Sequence, residues 1–192
     1  MACFLLFILF CSGLLAESVA GVAWSAPSSW KQQDKRIIDL VGREAGSGDP
    51  QARYAAAAVD GDIENAVCVV YLEPPPASPG NIPPTDAWVR NFTAATSLRW
   101  SSQFLSQDGQ WAVPKLINRT INGMATTVID TRGRYFAGWN LPDKPYKFER
   151  MLGAVIQTPR EQIAIKFVGP VNTIAANEDE WEALLASFKA QR

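Results

Sequence analysis

Apolar residues in this chain mostly alternate with polar ones or gather in short runs bounded by turn residues, as strands require. They shift to a spacing of three or four only in a few stretches. Residues 53–59 and 66–72 flank Asp60-Gly61-Asp62, whose glycine supplies the positive φ of a tight connection, so they read as a hairpin. A second hairpin is centred on Asn122-Gly123, a pair suited to a type I′ turn. Counting outward pairs Ile121 with Met124, Arg119 with Thr126 and Ile117 with Val128 on one face, and Leu116 with Ile129 on the other. Both faces carry apolar residues, which predicts that both are covered. A third hairpin joins residues 151–157 to 162–168 through Thr158-Pro159-Arg160-Glu161.

Helical spacing begins after Thr85, a residue able to cap, with Asp86 in the first turn facing the positive end of the helix dipole. Val89, Phe92, Thr96, Trp100 and Phe104 then form one stripe that predicts a helix packed on the sheet. The chain turns helical again after Gly169-Pro170, where Asn177 and Glu180 form a capping pair ahead of Trp181, Leu184, Leu185 and Phe188. Near the start, Val22 to Trp30 reads as a short strand whose Trp24 and Trp30, both core plugs, flank a Pro-Ser turn. Residues 31–51 are charged and end in Ala45-Gly46-Ser47-Gly48-Asp49-Pro50, predicting a brief helix over 36–43 and a flexible link. Residues 73–85 are proline-rich and must run as an extended loop. Strand hairpins with few helices between them make an α+β fold, an antiparallel sheet of about six strands flanked by helices.

The first segment differs from all of this. Residues 1–20 are nearly free of charge through Phe4 to Phe10 and Leu14-Leu15, then meet the small residues Ser18 and Ala20, the layout of a secretory signal peptide. Its apolar core would extend only about 21 Å as a helix, short of the ~30 Å needed to span a bilayer. The expected product is residues 21–192, one α+β domain, exported to a periplasmic or secreted location and without a stable membrane span. Charge adds little: 18 basic and 19 acidic residues nearly balance, removing any bulk electrostatic case for nucleic acid or a membrane surface. Cys3 and Cys11 leave with the signal, so Cys68, within an apolar run, is the one remaining thiol and reads as a buried small hydrophobe. The chain has no histidine, which excludes Ser/His and Cys/His nucleophilic pairs and His-ligated zinc. No cofactor or metal is implied.

Candidate chemistry is sparse. Asp60-x-Asp62-x-Glu64-Asn65 spaces carboxylates compatibly with a calcium loop but lacks the EF-hand pattern, and reads as a solvated turn. Asp130, beside Arg132 and Arg134, reads as half of a structural ion pair. Asn91-Phe92-Thr93 and Asn118-Arg119-Thr120 fit the glycosylation sequon but fall mid-helix and mid-strand. The richest stretch is 132–150, read as a long irregular connection. It sets Tyr135, Phe136, Trp139, Tyr146 and Phe148 among Arg132, Arg134, Lys144, Lys147 and Arg150, with only Asp143 and Glu149 opposing. Aromatics among excess cations suit stacking on sugars or gripping an anionic partner, so the candidate ligand-binding residues are Arg132, Arg134, Tyr135, Trp139, Tyr146 and Lys147. The competing reading is a lid whose aromatics cover the sheet.

Several local patterns recur together: Trp24-x-x-Pro27-x-x-Trp30, Arg99-Trp100-x-x-Gln103-Phe104, Asn122-Gly123, Met151-Leu152-Gly153-Ala154-x-Ile156-x-Thr158-Pro159, Lys166-x-x-Gly169-Pro170 and Leu184-Leu185-x-Ser187-Phe188-Lys189. In this the chain resembles a group of bacterial exported proteins of unassigned function, and its order of elements is similar to the PsbP/Mog1 fold, an α/β/α sandwich. No catalytic motif comes with the resemblance. PsbP proteins are accessory subunits of a photosynthetic complex and Mog1 binds a small GTPase, so the resemblance implies a binding or accessory role. The reading is a non-enzymatic exported protein with a protein or glycan partner in the cell envelope. The alternatives are a carboxylate-dependent hydrolase working through Asp130 or Glu73, and a structural envelope component.

Overall fold

The computed structural model describes residues 17–34, 49–73, 86–135, 147–158 and 161–191. The expected helix over 36–43, the proline-rich stretch after Glu73, the capping residue Thr85 and most of the signal segment lie outside the described residues.

The large sheet grows from the three expected hairpins. β4 (Asp49–Ala56) pairs antiparallel with β5 (Ala66–Glu73), and Gly61 in their connection has φ 95°. β7 (Lys115–Ile121) pairs with β8 (Met124–Tyr135) in the register counted from the sequence, Ile121 opposite Met124 and Ile117 opposite Val128. Asn122 and Gly123 take φ of 47° and 84°, the left-handed pair that a type I′ turn needs. β9 (Lys147–Gln157) pairs with β10 (Gln162–Pro170), and β10 closes on β5. Two-residue strands β3 (Lys31–Gln32) and β6 (Phe104–Leu105) complete the order β3-β4-β5-β10-β9-β8-β6, with β7 also on β8, giving eight strands where about six were expected. A small sheet of β1 (Glu17–Val19), β2 (Val22–Trp24) and β11 (Lys189–Ala190) lies apart. The expected signal boundary at Ala20 falls in the β1–β2 turn, where Ala20 and Gly21 both have positive φ.

Each face of the sheet buries a separate apolar cluster. On one face Tyr54, Cys68, Val70, Leu152, Ile165 and Phe167 pack beneath α2 (Val171–Ala176) and α3 (Glu178–Ser187), which contribute Ile174, Trp181, Leu184 and Leu185. Trp24 and Trp30 are the core plugs expected: Trp24 stacks on Phe188 at 5.3 Å and Trp30 lies 4.6 Å from Phe167. The opposite face packs Val69, Tyr71, Met151 and Val155 beneath α1 (Asp86–Ser101). Trp100 of α1 sits over Gly153, where a Cβ would fall 2.7 Å from the indole ring, so the glycine makes the seat. The result is an α+β sandwich of the expected class.

Three local expectations are corrected. α1 ends at Ser101, so Phe104 is buried from strand β6 rather than from a helical stripe. Asn177 makes no side-chain cap; its Oδ1 accepts from the Trp30 indole at 2.9 Å and its Nδ2 donates to the Thr173 carbonyl at 2.8 Å. β7 is not covered on both faces: Leu116 and Ile117 are half exposed, because β7 lies at the sheet edge beyond the reach of the helices.

Candidate functional site

The stretch 132–150 is less of a loop than its charge implied. Arg132–Tyr135 continue β8 and residues 147–150 begin β9, in register from Arg132 opposite Arg150 to Tyr135 opposite Lys147. The strand period was masked because its outward positions are arginines: Thr131, Gly133 and Tyr135 are buried while Arg132 and Arg134 are exposed. Tyr135 is therefore an interior residue and not part of an exposed contact set. Its ring lies 4.8 Å from Phe104 and its hydroxyl accepts from Lys166 Nζ at 3.1 Å. Lys147 pairs at the mouth of β9; Trp139 and Tyr146 lie outside the described residues.

Behind the exposed arginines stands a charge cluster built by cross-strand register. Arg150 donates to both oxygens of Asp130, Nε to Oδ1 at 3.0 Å and Nη2 to Oδ2 at 2.8 Å, and its Nη1 donates to Glu178 at the start of α3. These bonds, Asp130 first, outweigh partial burial and hold the guanidinium above its ordinary pKa, so it stays charged. Asp130 is the structural ion-pair acid expected, but its partner is Arg150 and not the adjacent Arg132 or Arg134.

The cluster opens on a cleft of about 490 Å³ at the sheet edge. β7 pairs with β8 as far as Asp130 and β6 takes up the same edge only at Arg134, leaving Thr131 to Gly133 with no paired strand on that edge among the described residues. Ser106, Ala112 and Val113 from the β6–β7 connection form one wall; Lys115, Asp130, Thr131, Arg132 and Arg150 form the other. Val113 and Trp111 stand exposed at the rim beside Leu116 and Ile117, an apolar margin to a basic cleft. Sequence reasoning found Arg132 but missed Lys115, because only the hairpin register brings residue 115 beside residue 130.

The remaining candidates serve the fold. Asp62 accepts from the Thr173 backbone N–H at 2.8 Å and its hydroxyl at 2.6 Å, satisfying the first turn of α2, while Asn65 accepts from the Ala58 N–H. The turn is structural, and no cluster able to hold a metal occurs among the described residues. Asn122 likewise bonds the carbonyls of Ala186 and Phe188 at the end of α3, so both hairpin turns fasten helix termini. Glu73 is buried and bonded by Arg99. It lies three strands from Asp130 on the opposite face, roughly 20 Å away, so the two acids of the hydrolase alternative do not converge. Asn91 is mid-helix and Asn118 mid-strand, where its Oδ1 accepts from Thr127. Cys68 is buried and burial pushes its thiol up, as suits an inert hydrophobe.

No protein family matches this sequence, and no curated protein is recognisably related to it. Solved structures do match. The chain is similar to LpqN, involved in cell envelope biogenesis of Mycobacterium tuberculosis, with 9% identity over 89% of this chain and 83% of LpqN, at a TM-score of 0.54. It is similar to PA94 of Pseudomonas aeruginosa, a protein of unknown function, with 13% identity over 90% and 93% of the two chains, at 0.50. The Saccharomyces cerevisiae Ran-binding protein Mog1p matches at 12% identity over 88% and 90%, at 0.47. The likenesses to LpqN and PA94 show the fold alone, an α+β sandwich. Among the described residues no helix is long and apolar enough to cross a membrane.

Proposed function

We propose that this chain is an exported, non-enzymatic binding or accessory protein that meets a protein or glycan partner of the cell envelope through the end of the sheet bearing Arg132, Arg134 and Lys147. Trp139 and Tyr146, outside the described residues, belong to the same candidate set. The observation that carries this reading is the contrast between neighbours: Asp130, Arg150 and Glu178 neutralise one another, whereas Arg132 and Arg134 are exposed and make no ion pair among the described residues. Cations kept out of a satisfied network are available to an outside partner. LpqN, of similar fold, is involved in cell envelope biogenesis, which fits such a setting.

Photo-crosslinking from position 134 in cells exporting the protein should give a discrete adduct that position 98, exposed on α1, does not give. No adduct from 134, or the same adduct from both, overturns the reading. Trp139→Ala should weaken that adduct while changing stability by less than about 1 kcal/mol; a loss of 3–5 kcal/mol would make the loop a core lid instead. The mass of the exported chain tests processing: cleavage after Ala20 would remove β1 and with it the bond from the Tyr54 hydroxyl to Glu17.

A further inference from the structure

We propose that the cleft between β6 and β7 binds a phosphate-type oxyanion, held by Arg132 and Lys115. The register sets the geometry. Lys115 stands directly opposite Asp130, and Arg132 lies two residues further along β8 on the same face, so the two cations are diagonal neighbours roughly 7 Å apart. On the other flank Arg132 faces Arg150 directly. Like charges placed opposite each other across a sheet are unfavourable. Asp130 and Glu178 answer only Arg150, by occupying its Nε, Nη2 and Nη1. Lys115 and Arg132 are left exposed, facing one cleft, with no ion pair among the described residues, and the cleft's one carboxylate, Asp130, is taken up by Arg150.

A backbone donor completes the site; the Thr131 side chain turns to the opposite face, beneath α1, and takes no part in it. The type I′ turn makes Ile121 and Met124 a hydrogen-bonded pair, so alternate residues of β8, from Met124 through Asp130, direct their backbone groups to the β7 edge. Arg132 continues that phase at the point where no strand is paired on that edge among the described residues, so its N–H is directed at the cleft edge. An arginine fork, a lysine ammonium and a peptide N–H suit a tetrahedral, doubly charged group better than a planar carboxylate. At about 490 Å³ the cleft has room for a phosphate together with the group it is attached to.

This deepens the reading above and rests on it only for the choice of face. The shared chemistry is a phosphate group, carried by a soluble molecule or by a lipid headgroup. The test is titration of the full exported chain with inorganic phosphate at low salt, followed by amide chemical shifts. Parallel binding to phosphatidylglycerol and phosphatidylcholine vesicles distinguishes the sources. Saturable shifts at residues 131–132 that weaken at least about tenfold in Arg132→Gln and in Lys115→Gln are expected. Lys189→Gln, an exposed lysine on the small sheet, should stay within about twofold. Phosphate binding without vesicle binding assigns a soluble ligand, and preference for the anionic vesicle assigns a headgroup; both support the site. Absence of saturation by about 50 mM phosphate, or binding undiminished in the double variant, overturns it. The adduct from position 134 is read independently, so an intact adduct beside absent phosphate binding would sink the anion site and leave the contact surface standing.

Discussion

Beneath α2 and α3 the large sheet presents Tyr54, Cys68, Val70, Leu152, Ile165 and Phe167, while alternate residues of the same strands present Arg53, Glu73, Gln162 and Lys166 beneath α1, all buried. Both faces are sealed from water, but only one is dry. Each of these four has a partner: Arg53 donates to Gln33, Arg99 to Glu73, Gln162 to Gln157, and Lys166 to Gln103 and Tyr135. Apolar contacts tolerate sliding, whereas hydrogen bonds of fixed length do not. The dry face supplies the stability, and the polar face fixes where α1 sits and how β10 meets β8.

That contrast breaks first at Trp181. It is 2% exposed and stacks 6.0 Å from Phe167, so Trp181→Ala should destabilise by about 3–5 kcal/mol in chemical denaturation. A loss near 1 kcal/mol would mean that the α2 and α3 face is not the stabilising core. On the α1 side the comparable test is overpacking. Gly153→Ala puts a methyl against the Trp100 ring and should cost about 1–3 kcal/mol while shifting the near-ultraviolet signal, since the ring must tilt. An unchanged spectrum would show that α1 is not seated by this contact.

The difference between the faces also explains what the sequence disclosed. The register of the Asn122-Gly123 hairpin and both tryptophan plugs followed from turn chemistry and apolar runs, where the local pattern and the tertiary fold agree, whereas β4 runs from Asp49 to Ala56 and not over the expected 53–59. Lys166 in Ile165-Lys166-Phe167 gives no local sign of being 1% exposed, because its partners Gln103 and Tyr135 are remote in sequence. The cleft was half legible for the same reason. Arg132 lay in a stretch marked by charge, but Lys115 joins it only through the hairpin, and the continuation of β8 past Thr131 was hidden by arginines on its outward side.

Alkaline titration sharpens the description of the dry face. Burial pushes up the Cys68 thiol from its ordinary 9.0, and burial, then the hydrogen bond to Glu17, pushes up the Tyr54 hydroxyl from its ordinary 10.0. Raised values in the folded chain mean that the neutral forms favour folding. The contribution is complete below the ordinary values and is lost as pH rises past them, by about 1.4 kcal/mol per pH unit for each group. Stability measured by denaturant should hold flat to about pH 9 and fall above it, and Cys68→Ala should delay the onset to about pH 10. A decline unchanged by that substitution would place the alkaline weak point elsewhere.

The smallest effect belongs to Thr96, and its sign is the informative part. On α1 it is 1% exposed, one turn before Trp100, and its hydroxyl has no hydrogen-bond partner among the described residues. An unpaired hydroxyl taken out of water lowers stability, so the isosteric Thr96→Val should leave stability unchanged or raise it by up to about 1 kcal/mol, since valine fills the same volume with no polar group to desolvate. Thr173, equally buried, is its counterpart on the other side, but its hydroxyl donates to Asp62 at 2.6 Å and accepts from the Val59 N–H, and Thr173→Val removes both bonds, leaving Asp62 only the Thr173 backbone N–H. That change should cost about 1–3 kcal/mol. Matched urea curves for the two variants therefore separate a partnered hydroxyl from an unpartnered one at the same depth. Equal losses would show that α1 packs against a partner for Thr96, and that the polar face is more completely satisfied than its bonds indicate.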